Sequence, residues 1–493
     1  MSDALIHDVF HQCIQQGVTT CCIGAGSRST QLIQALDSLN IDIIPFFDER
    51  VVGYMALGVA KGSKKSVMVV TTSGTAVSNL SPAVTEAANS HLNLIVCTAD
   101  RPKKYQQTSA NQTINQTNIF NDVLAEIQLA VSSNDGEKLK QKNEIRIIKN
   151  DINNALQKMI NVGGPIHINF CLDDPTSIET LDWGSKETWG VSLESEKILT
   201  SATKQSDFLT NITKDKLRHF YPSLLCIGQL EPWVNPNLIK KIITEFNVPT
   251  VVDGSNHCLK NLPNVWQSAD MFCNKGNHGS KDAQLNSILY LGGPWISKKM
   301  SHYIELNIDN ILHVSEAFEP VTLMENSVKG SYESLLNMNL KASKANDSQV
   351  KLANIDMNKR LEHAIKEYQN SDIDYIVTAF KQINRRFDCF VANSLPIRIF
   401  DQVYIGNLDQ IFVNRGASGI DGNIATVMGL SKIKSDKPIL AIVGDLASLY
   451  DLNAWLLMTT VNRPLTILVI NNGGGDIFSM LPVAKMYPKF NEQ

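Results

Sequence analysis

The sequence predicts an α/β protein that consists of three doubly wound, parallel-sheet domains. Short apolar runs alternate with helix-like segments along the chain, which is the pattern of strands joined by crossover helices. Most of these runs are apolar at every position, as strands buried on both faces are. At 493 residues the chain is also too long for a single core, so about three domains are expected.

The composition excludes several classes of function. Apolar residues make up 43% and charged residues 19% of the chain, as in ordinary soluble proteins. The net charge of -4 gives no broad basic field for nucleic acid. No apolar run reaches membrane length, and the N-terminal segment is acidic where a signal peptide is basic. We therefore expect a cytoplasmic protein without membrane insertion, whose nine cysteines are buried free thiols.

The first predicted domain covers residues 1–175. A strand, Thr19 to Ile23, leads into a glycine turn, Gly24 to Thr30, and then into a helix. The turn lacks the third glycine of a dinucleotide site. A glycine turn that opens a helix can still bind an anion, so Ser27 and Arg28 could hold a carboxylate there. The alternative is a simple turn with a solvated arginine.

Glu49 lies at the start of a predicted helix, after the strand Ile41 to Phe47. Acidic residues at helix starts are commonly caps that interact with the helix dipole. From the residues alone, Glu49 is therefore structural. Two further buried strands follow, Val67 to Thr71 and Leu92 to Cys97.

The middle domain is predicted at residues 190–340, after a polar connector, Ile178 to Glu196. Gly228 and Gly292 end strands as they might in a nucleotide site, but no phosphate-binding loop accompanies them. We interpret this domain as mainly a scaffold. Its predicted strands are Ser223 to Gly228, Val248 to Val252, Ser287 to Leu291 and Tyr303 to Ile308.

The third domain is predicted at residues 370–493. Its strands Cys389 to Ala392 and Gln410 to Val413 are followed by Arg398 and Arg415. Ligands of parallel sheets bind at the carboxyl ends of the strands. Two arginines at that edge favour a polycarboxylate substrate, because like charges held close together repel without an anion between them. Separate surface ion pairs are the alternative.

A strand–helix–strand unit follows in the same domain. The strands Pro438 to Asp445 and Pro464 to Asn472 flank a predicted crossover helix, Leu449 to Val461. The carboxyl ends of the two strands are expected to be neighbours. Asp445, Asn472 and nearby glycine carbonyls would then supply part of a magnesium shell, completed by a diphosphate and water. The alternative is that Asp445 caps a helix and Asn472 forms a turn.

Together these segments resemble the MenD family of thiamine diphosphate enzymes. Gly444-Asp445, followed after one strand–helix–strand unit by Asn471-Asn472, is similar to the signature of such enzymes that binds the cofactor diphosphate. The other matching segments are Phe47 to Arg50, Thr72 to Ala76, Thr98 to Pro102, Asn111-Gln112, Asn393 to Arg398 and Asn414 to Gly422.

The resemblance implies thiamine diphosphate as cofactor, with Mg²⁺ or Mn²⁺. It makes Glu49 the catalytic acid that hydrogen-bonds the aminopyrimidine ring and so activates the cofactor. The implied cofactor-binding residues are Glu49, Thr75, Ile420, Gly444, Asp445, Leu446, Asn472, Gly474, Ile477 and Phe478, of which Asp445, Asn472 and Gly474 bind the metal. The implied substrate-binding residues are Ser27, Arg28, Arg101, Gln112, Lys298, Lys299, Asn393, Ser394, Arg398 and Arg415.

The implied activity is that of a transferase in menaquinone biosynthesis. It would decarboxylate 2-oxoglutarate and add the succinyl-semialdehyde unit to isochorismate, releasing CO₂. Because Glu49 and Asp445 lie in different predicted domains, the resemblance implies a homodimer or a dimer of dimers. Chains of the family continue beyond the position that matches Gln493, so we expect an incomplete third domain. The alternatives are another 2-oxo acid decarboxylase, an acetolactate-type synthase, or a truncated, non-catalytic cofactor-binding protein.

Overall fold

The computed structural model describes residues 3–130, 138–172, 220–274, 287–336, 369–403 and 405–475, with isolated positions between 354 and 367 and at 486. Within these ranges the strands form three sheets of six, six and four strands, and every pair is parallel. The predicted α/β class with parallel sheets is confirmed. The predicted connector Ile178 to Glu196 and the candidate cofactor residues Ile477 and Phe478 lie outside the described residues.

The first sheet carries strands β1 (Thr20–Gly24), β2 (Asp42–Pro45), β3 (Val67–Thr71), β4 (Leu94–Asp100), β5 (Glu126–Leu129) and β6 (Ile166–Cys171). Its helices are α1 (Asp3–Gln15), α2 (Thr30–Ser38), α3 (Glu49–Ser63), α4 (Thr75–Ser78), α5 (Ser81–Asn89) and α6 (Lys138–Val162). The strand order is β2-β1-β3-β4-β6-β5.

Strand β4 continues to Asp100, beyond the predicted end at Cys97. The sequence becomes polar there, which suggested that the strand had ended. In the fold the Thr98 hydroxyl donates to Asn169 Oδ1 at 2.7 Å, and Asn169 Nδ2 donates to Asp100 Oδ2 at 2.8 Å. A buried strand can carry polar residues when they are hydrogen-bonded in this way.

The second sheet carries strands β7 (Leu224–Ile227), β8 (Thr250–Val252), β9 (Val265–Trp266), β10 (Ile288–Leu291), β11 (Ile311–Ser315) and β12 (Ser327–Lys329). Its helices are α7 (Pro236–Phe246), α8 (Ala269–Asn274), α9 (Lys298–Leu306) and α10 (Glu333–Leu336). The strand order is β12-β11-β10-β7-β8-β9.

The predicted strand Tyr303 to Ile308 was wrong, because most of this segment belongs to helix α9. The Ser297 hydroxyl caps the helix by accepting a hydrogen bond from the Met300 amide at 3.1 Å. Met300, Tyr303 and Ile304 are buried, which is the three-and-four spacing of one helix face. The expected strand is instead β11, which follows the helix.

The second sheet reverses its strand order between β7 and β10, where doubly wound sheets usually bind ligands. In this sheet, residues of the chain itself occupy the crevice between β7 and β10. A Cβ on Gly228 would collide with the Gly293 carbonyl oxygen, and a Cβ on Gly293 would collide with the Phe318 ring. Near the end of β11, the buried Glu231 carboxylate accepts the backbone amides of residues 316, 317 and 318 at 2.9, 2.8 and 3.3 Å. This packing supports the interpretation of the sheet as a scaffold.

The third sheet carries strands β13 (Phe387–Val391), β14 (Leu408–Phe412), β15 (Ile439–Gly444) and β16 (Leu465–Ile470), in the order β14-β13-β15-β16. The helices in this part of the chain are α11 (Asp372–Gln382), α12 (Leu395–Gln402), α13 (Asn423–Ser431) and α14 (Asp445–Tyr450). None of the helices in the described ranges has the length and apolar character needed to cross a membrane.

The predicted crossover helix Leu449 to Val461 is not one continuous α-helix. Helix α14 ends at Tyr450, and a 3₁₀ segment, Leu452–Thr460, follows it. Asp451 separates them with φ −114° and ψ 32°. Its buried carboxylate accepts the Ala425 amide at 2.7 Å, and this long-range contact accompanies the break.

The chain divides into two compact units. Unit 1 consists of Met1–Thr203, Asn414–Lys434 and Asp451–Asn462, and unit 2 consists of Lys204–Val413, Ser435–Tyr450 and Arg463–Gln493. Two segments of the predicted third domain therefore pack with the first sheet. The three-domain boundaries at 1–175, 190–340 and 370–493 stay a prediction.

All nine cysteines lie in the described part of the chain, and none of them forms a disulfide bond. Eight of them are buried. Burial raises the pKa of the Cys13 and Cys22 thiols to about 12, which keeps them protonated at neutral pH. They therefore act as packing groups rather than as nucleophiles.

We predict that unit 2 loses stability in mild acid because of His257. Its buried ring accepts the Ile405 amide at Nε2, 3.0 Å away, and burial lowers its pKa to about 3. The unfolded chain binds a proton near pH 6.5 and the folded chain does not, so the free energy of unfolding falls below that pH, by about 2 kcal/mol at pH 5. Urea denaturation at pH 7.5 and pH 5 measures this change. His257→Gln keeps an acceptor and should flatten the pH dependence, whereas the exposed-site control His302→Gln should not.

Candidate active site

Glu49 is the first residue of helix α3, and Asp48 caps that helix. Asp48 Oδ1 accepts the amides of Arg50 and Val51 at 3.0 and 3.2 Å. Asp48 Oδ2 accepts the Asn453 side-chain amide at 2.7 Å. The Glu49 backbone is thus held at the positive end of the helix dipole, where acidic side chains are stabilised.

The Glu49 side chain packs against Gly24 at the carboxyl end of β1, beside Thr71 at the end of β3. A Cβ on Gly24 would lie 2.8 Å from Glu49 Cγ and 3.4 Å from Thr71 Oγ1, so a glycine is needed for this close approach. The Thr71 hydroxyl is buried and has no hydrogen-bond partner among the described residues. Glu49 therefore lies at the edge of the first sheet where ligands of parallel sheets bind.

Helix α3 crosses helix α13 at a pair of glycines. A Cβ on Gly58 would collide with the Thr426 carbonyl oxygen, and a Cβ on Gly429 would collide with the Met55 carbonyl oxygen. One turn closer to Glu49, the Tyr54 hydroxyl donates to Asp421 Oδ2 at 2.7 Å. The helix that carries Glu49 is therefore fixed to the segment that follows Arg415, within unit 1.

Gln112 and the turn before Thr75 are joined by two reciprocal hydrogen bonds. Gln112 Nε2 donates to the Ser73 carbonyl at 2.9 Å, and the Ser73 hydroxyl donates to the Gln112 carbonyl at 3.2 Å. Buried Gln116 accepts the Gly74 amide at 3.0 Å and donates to the Ala99 carbonyl at 3.1 Å. Thr75, an exposed residue at the start of α4, is placed by this turn.

Arg28 and Arg101 lie at neighbouring strand ends, since β4 pairs with β6. Arg28 Nη1 donates to the Leu172 carbonyl just after β6 at 3.2 Å, and Arg101 Nη2 donates to the Asn111 carbonyl at 2.7 Å. Burial raises the pKa of the neighbouring Asp100 carboxyl, although the Asn169 hydrogen bond and, to a smaller extent, the Arg28 charge oppose this shift. The exposed Ser27 begins the turn that contains Arg28. This edge offers two cations to an anionic ligand.

The carboxyl ends of β15 and β16 meet in unit 2. Gly444 is paired with Ile470, Asp445 Oδ2 accepts the Gly474 amide at 2.8 Å, and Asp445 Oδ1 accepts the Leu446 amide at 2.8 Å. Gly473, Gly474 and Gly475 have φ values of +86°, +106° and +80°. A Cβ on Gly444, Gly473 or Gly474 would find open space within 4 Å.

The donor set at this edge fits a hard cation. Asn472 Nδ2 donates to Asp372 Oδ2 at 3.2 Å, which orients the amide. Asp445 carboxylate, Asn472 amide and Gly474 carbonyl oxygens are ligands that Mg²⁺ accepts, together with diphosphate oxygens and water. Among the described residues, no three or more His, Cys, Asp or Glu side chains gather as a metal site. The predicted metal ligands differ from such a cluster, because they are one carboxylate (Asp445), one side-chain amide (Asn472) and one backbone carbonyl (Gly474).

Most of the remaining candidates in unit 2 lie in or next to the first turn of α9 or of α12. Asn393 is buried, Ser394 has φ +72°, and Arg398 Nη1 donates to the Ser394 carbonyl at 2.6 Å. Lys298 and Lys299 are exposed in the first turn of α9, and Lys299 Nζ donates to Asn274 Oδ1 at 2.9 Å. Leu446 is also exposed.

Arg415 and Ile420 belong to unit 1, and Ile420 is 43% exposed. Arg398 belongs to unit 2. Sequence reasoning missed the buried residues Gln116 and Glu86, which hold neighbouring backbone in place. The available signal for Glu86 was a charged residue within the otherwise alanine-rich helix α5.

We predict that Asp48→Ala lowers the free energy of unfolding by about 1 kcal/mol, because the first turn of α3 loses its cap. Asp48→Asn keeps a capping oxygen and should lose much less. Chemical denaturation of both variants measures the difference. Equal losses would show that the hydrogen bond to Asn453, rather than the cap, is what matters.

Residues 5–119 match the profile of the thiamine pyrophosphate enzyme family, N-terminal TPP binding domain. Similar proteins include 2-succinyl-5-enolpyruvyl-6-hydroxy-3-cyclohexene-1-carboxylate synthases from three bacteria. The protein from Shewanella frigidimarina is 30% identical, over 96% of this chain and 84% of its own length. The one from Staphylococcus saprophyticus is 30% identical over 98% and 85%. The one from Chlorobium phaeobacteroides is 30% identical over 95% and 83%.

The match to the cofactor-binding profile includes Glu49 and the turn before Thr75. The alignments with the synthases run over nearly the whole chain, so they also include the third sheet. The resemblance to the MenD family is thereby confirmed. The chain belongs to the 2-succinyl-5-enolpyruvyl-6-hydroxy-3-cyclohexene-1-carboxylate synthase family of thiamine diphosphate enzymes.

Proposed function

We propose that this chain decarboxylates 2-oxoglutarate and adds the succinyl-semialdehyde unit to isochorismate, as a transferase of menaquinone biosynthesis. The products are 2-succinyl-5-enolpyruvyl-6-hydroxy-3-cyclohexene-1-carboxylate and CO₂. The observation that carries the proposal is the carboxyl edge of the first sheet. Glu49 packs there against the end of β1, the Arg28 guanidinium donates to the Leu172 carbonyl just after β6, and Arg101 directly follows β4. An acid and two cations at one edge suit a cofactor-activating group beside carboxylate substrates.

Thiamine diphosphate, when bound, supplies the electron sink for decarboxylation and C–C bond formation. The task of Glu49 is to share a proton with the pyrimidine ring of the cofactor, from the fixed position at the start of α3. Asp445, Asn472 and Gly474 would hold Mg²⁺ or Mn²⁺, and the open glycine turn leaves room for the diphosphate. Thr75, Gly444, Leu446 and Ile420 would complete the cofactor contacts, with Ile420 as an apolar support for the cofactor.

The substrates are anionic, so their recognition falls to cations and amides. We assign Arg28, Arg101, Arg398 and Arg415 to the carboxylates, because the arginine fork can donate two parallel hydrogen bonds. Ser27, Gln112, Asn393 and Ser394 are assigned to the polar groups of the bound substrates. Lys298 and Lys299 are exposed and lack the fork geometry of arginine. Their proposed contribution is therefore a positive electrostatic field rather than bidentate hydrogen bonds to a carboxylate.

We also propose a homodimer or a dimer of dimers in the cytoplasm. Glu49 belongs to unit 1 and Asp445 to unit 2. In the proposed assembly, the Glu49 and Asp445 that serve one cofactor come from different subunits. Sedimentation with and without thiamine diphosphate tests this arrangement.

We predict that rapid CO₂ release from 2-oxoglutarate requires isochorismate and that pyruvate is a poor substrate. Pyruvate should be a poor substrate because the proposed arginines bind the second carboxylate of 2-oxoglutarate, which pyruvate lacks. Assays with 2-oxoglutarate and pyruvate, each with and without isochorismate, measure the preference. Higher activity with pyruvate would favour an acetolactate-type synthase or another 2-oxo acid decarboxylase. Calorimetric binding of thiamine diphosphate without any turnover would favour a non-catalytic binding protein.

We predict that Glu49→Gln lowers kcat by about 100-fold or more, since a neutral amide cannot share the proton. Thiamine diphosphate affinity, measured by calorimetry with Mg²⁺, should change far less. Glu49→Asp keeps the acid on a shorter side chain and should retain more activity than the amide variant. Full activity of Glu49→Gln would remove Glu49 from the proposed mechanism.

A further inference from the structure

Glu86 is a buried carboxylate in helix α5 to which the proposed reaction assigns no role. Its side chain is 2% exposed. Oε1 accepts the Gly416 amide at 3.1 Å and the Ser90 hydroxyl at 2.8 Å, and Oε2 accepts the Ala417 amide at 2.7 Å. Lys61 Nζ lies 3.8 Å from Oε1. All of these groups belong to unit 1.

A carboxylate without solvent is costly unless cations and hydrogen bonds compensate its charge. Lys61 supplies the cation, and burial lowers the pKa of this lysine although the Glu86 charge opposes the shift. Ser90 supplies a neutral donor. The two backbone groups that donate to the carboxylate are the consecutive amides of Gly416 and Ala417. Those amides directly follow Arg415.

The backbone after Arg415 passes very close to helix α5, which carries Glu86. A Cβ on Gly416 would lie 2.6 Å from the Ser90 hydroxyl and 2.7 Å from the Glu86 carbonyl oxygen, so only glycine lets the segment approach α5 this closely. Ser418 has φ +59°, a left-handed conformation that must be held by its surroundings.

The same segment is also anchored on either side of this contact. Asn414 Nδ2 donates to the Thr426 hydroxyl at 2.9 Å before it, and Tyr54 donates to Asp421 after it. Residues 415–420 therefore form a short loop whose ends cannot move independently of helices α3 and α13. Within this loop, the Glu86 carboxylate binds the backbone at Gly416 and Ala417.

We propose that Glu86 is a positioning residue for substrate recognition: it fixes the backbone at Gly416 and Ala417 and thereby the place of the Arg415 guanidinium. The inference rests on the proposed role of Arg415 in binding a substrate carboxylate. A carboxylate can accept both amides at once. A glutamine cannot, because its NH₂ group would face one backbone N–H.

The test is Glu86→Gln in the full chain with thiamine diphosphate and Mg²⁺. Hydrogen exchange of the amides in residues 415–420 should be at least about tenfold faster, because a charge-assisted hydrogen bond is lost. The KM for 2-oxoglutarate should rise by about tenfold with kcat changed little, as expected when a ground-state binding group is displaced. Thiamine diphosphate affinity, measured by calorimetry, should stay the same.

Two variants serve as matched controls. Ser90→Ala removes one donor and leaves both amide contacts, so it should change KM little. Glu231→Gln makes the same substitution at a buried carboxylate in unit 2 that also accepts consecutive backbone amides. It should speed exchange at residues 316–318 and leave KM unchanged. If Glu86→Gln does not fold, Gly416→Ala displaces the same contact sterically and should raise KM in the same way.

Unchanged exchange at residues 416 and 417 in Glu86→Gln would overturn the proposal. Faster exchange with an unchanged KM would also overturn it, because the loop would then move without affecting substrate binding. If the wild-type protein does not turn over 2-oxoglutarate and isochorismate, the proposed function fails by itself. Exchange, together with calorimetric binding of 2-oxoglutarate to wild type and Glu86→Gln, then still decides the role of Glu86.

Discussion

The close crossing of helices α3 and α13 is the constraint on which the rest of unit 1 depends. Gly58 and Gly429 let the two backbones touch, since a methyl group at either position would collide with a carbonyl oxygen. Packed interiors do not tolerate such overlap without displacement. The crossing sets the position of Glu49 relative to the segment that follows Arg415. The hydrogen bonds of Tyr54 and Glu86 to that segment require the same separation of the helices.

Hydrogen bonds of buried polar groups fix the positions of the packed segments more narrowly than apolar contacts do. Apolar contacts tolerate small shifts, but a buried hydrogen bond that is broken leaves an unsatisfied group at a cost of about 1–3 kcal/mol. Gln116, Asp100 and Glu86 are each almost completely buried, and each is bonded to backbone near a candidate site residue. Their contacts therefore specify where the turn before Thr75, Arg101 and Arg415 can lie. Thr75, Arg101 and Arg415 themselves are more exposed than the groups that position them.

The second and third sheets differ in the residues that follow their strands. In the second sheet, the crevice between β7 and β10 is filled by Gly293, Phe318 and the backbone contacts of Glu231. In the third sheet, the ends of β15 and β16 carry Asp445 and a glycine turn with open space around it. Strand order alone does not make a binding site, because the residues that follow the strands decide whether the crevice is open.

The sequence by itself determined the α/β class, most of the strands and the family, because buried parallel strands read as apolar runs and the site motifs are local. Local patterns failed where a distant contact competed, as in the break at Asp451, or where an apolar segment suited either structure, as at Tyr303 to Ile308. Only the tertiary structure decided the partners of Glu86, Gln116 and Asn472. Those hydrogen bonds join residues that are far apart in the chain, up to 331 positions for Glu86 and Ala417, and no periodicity encodes them.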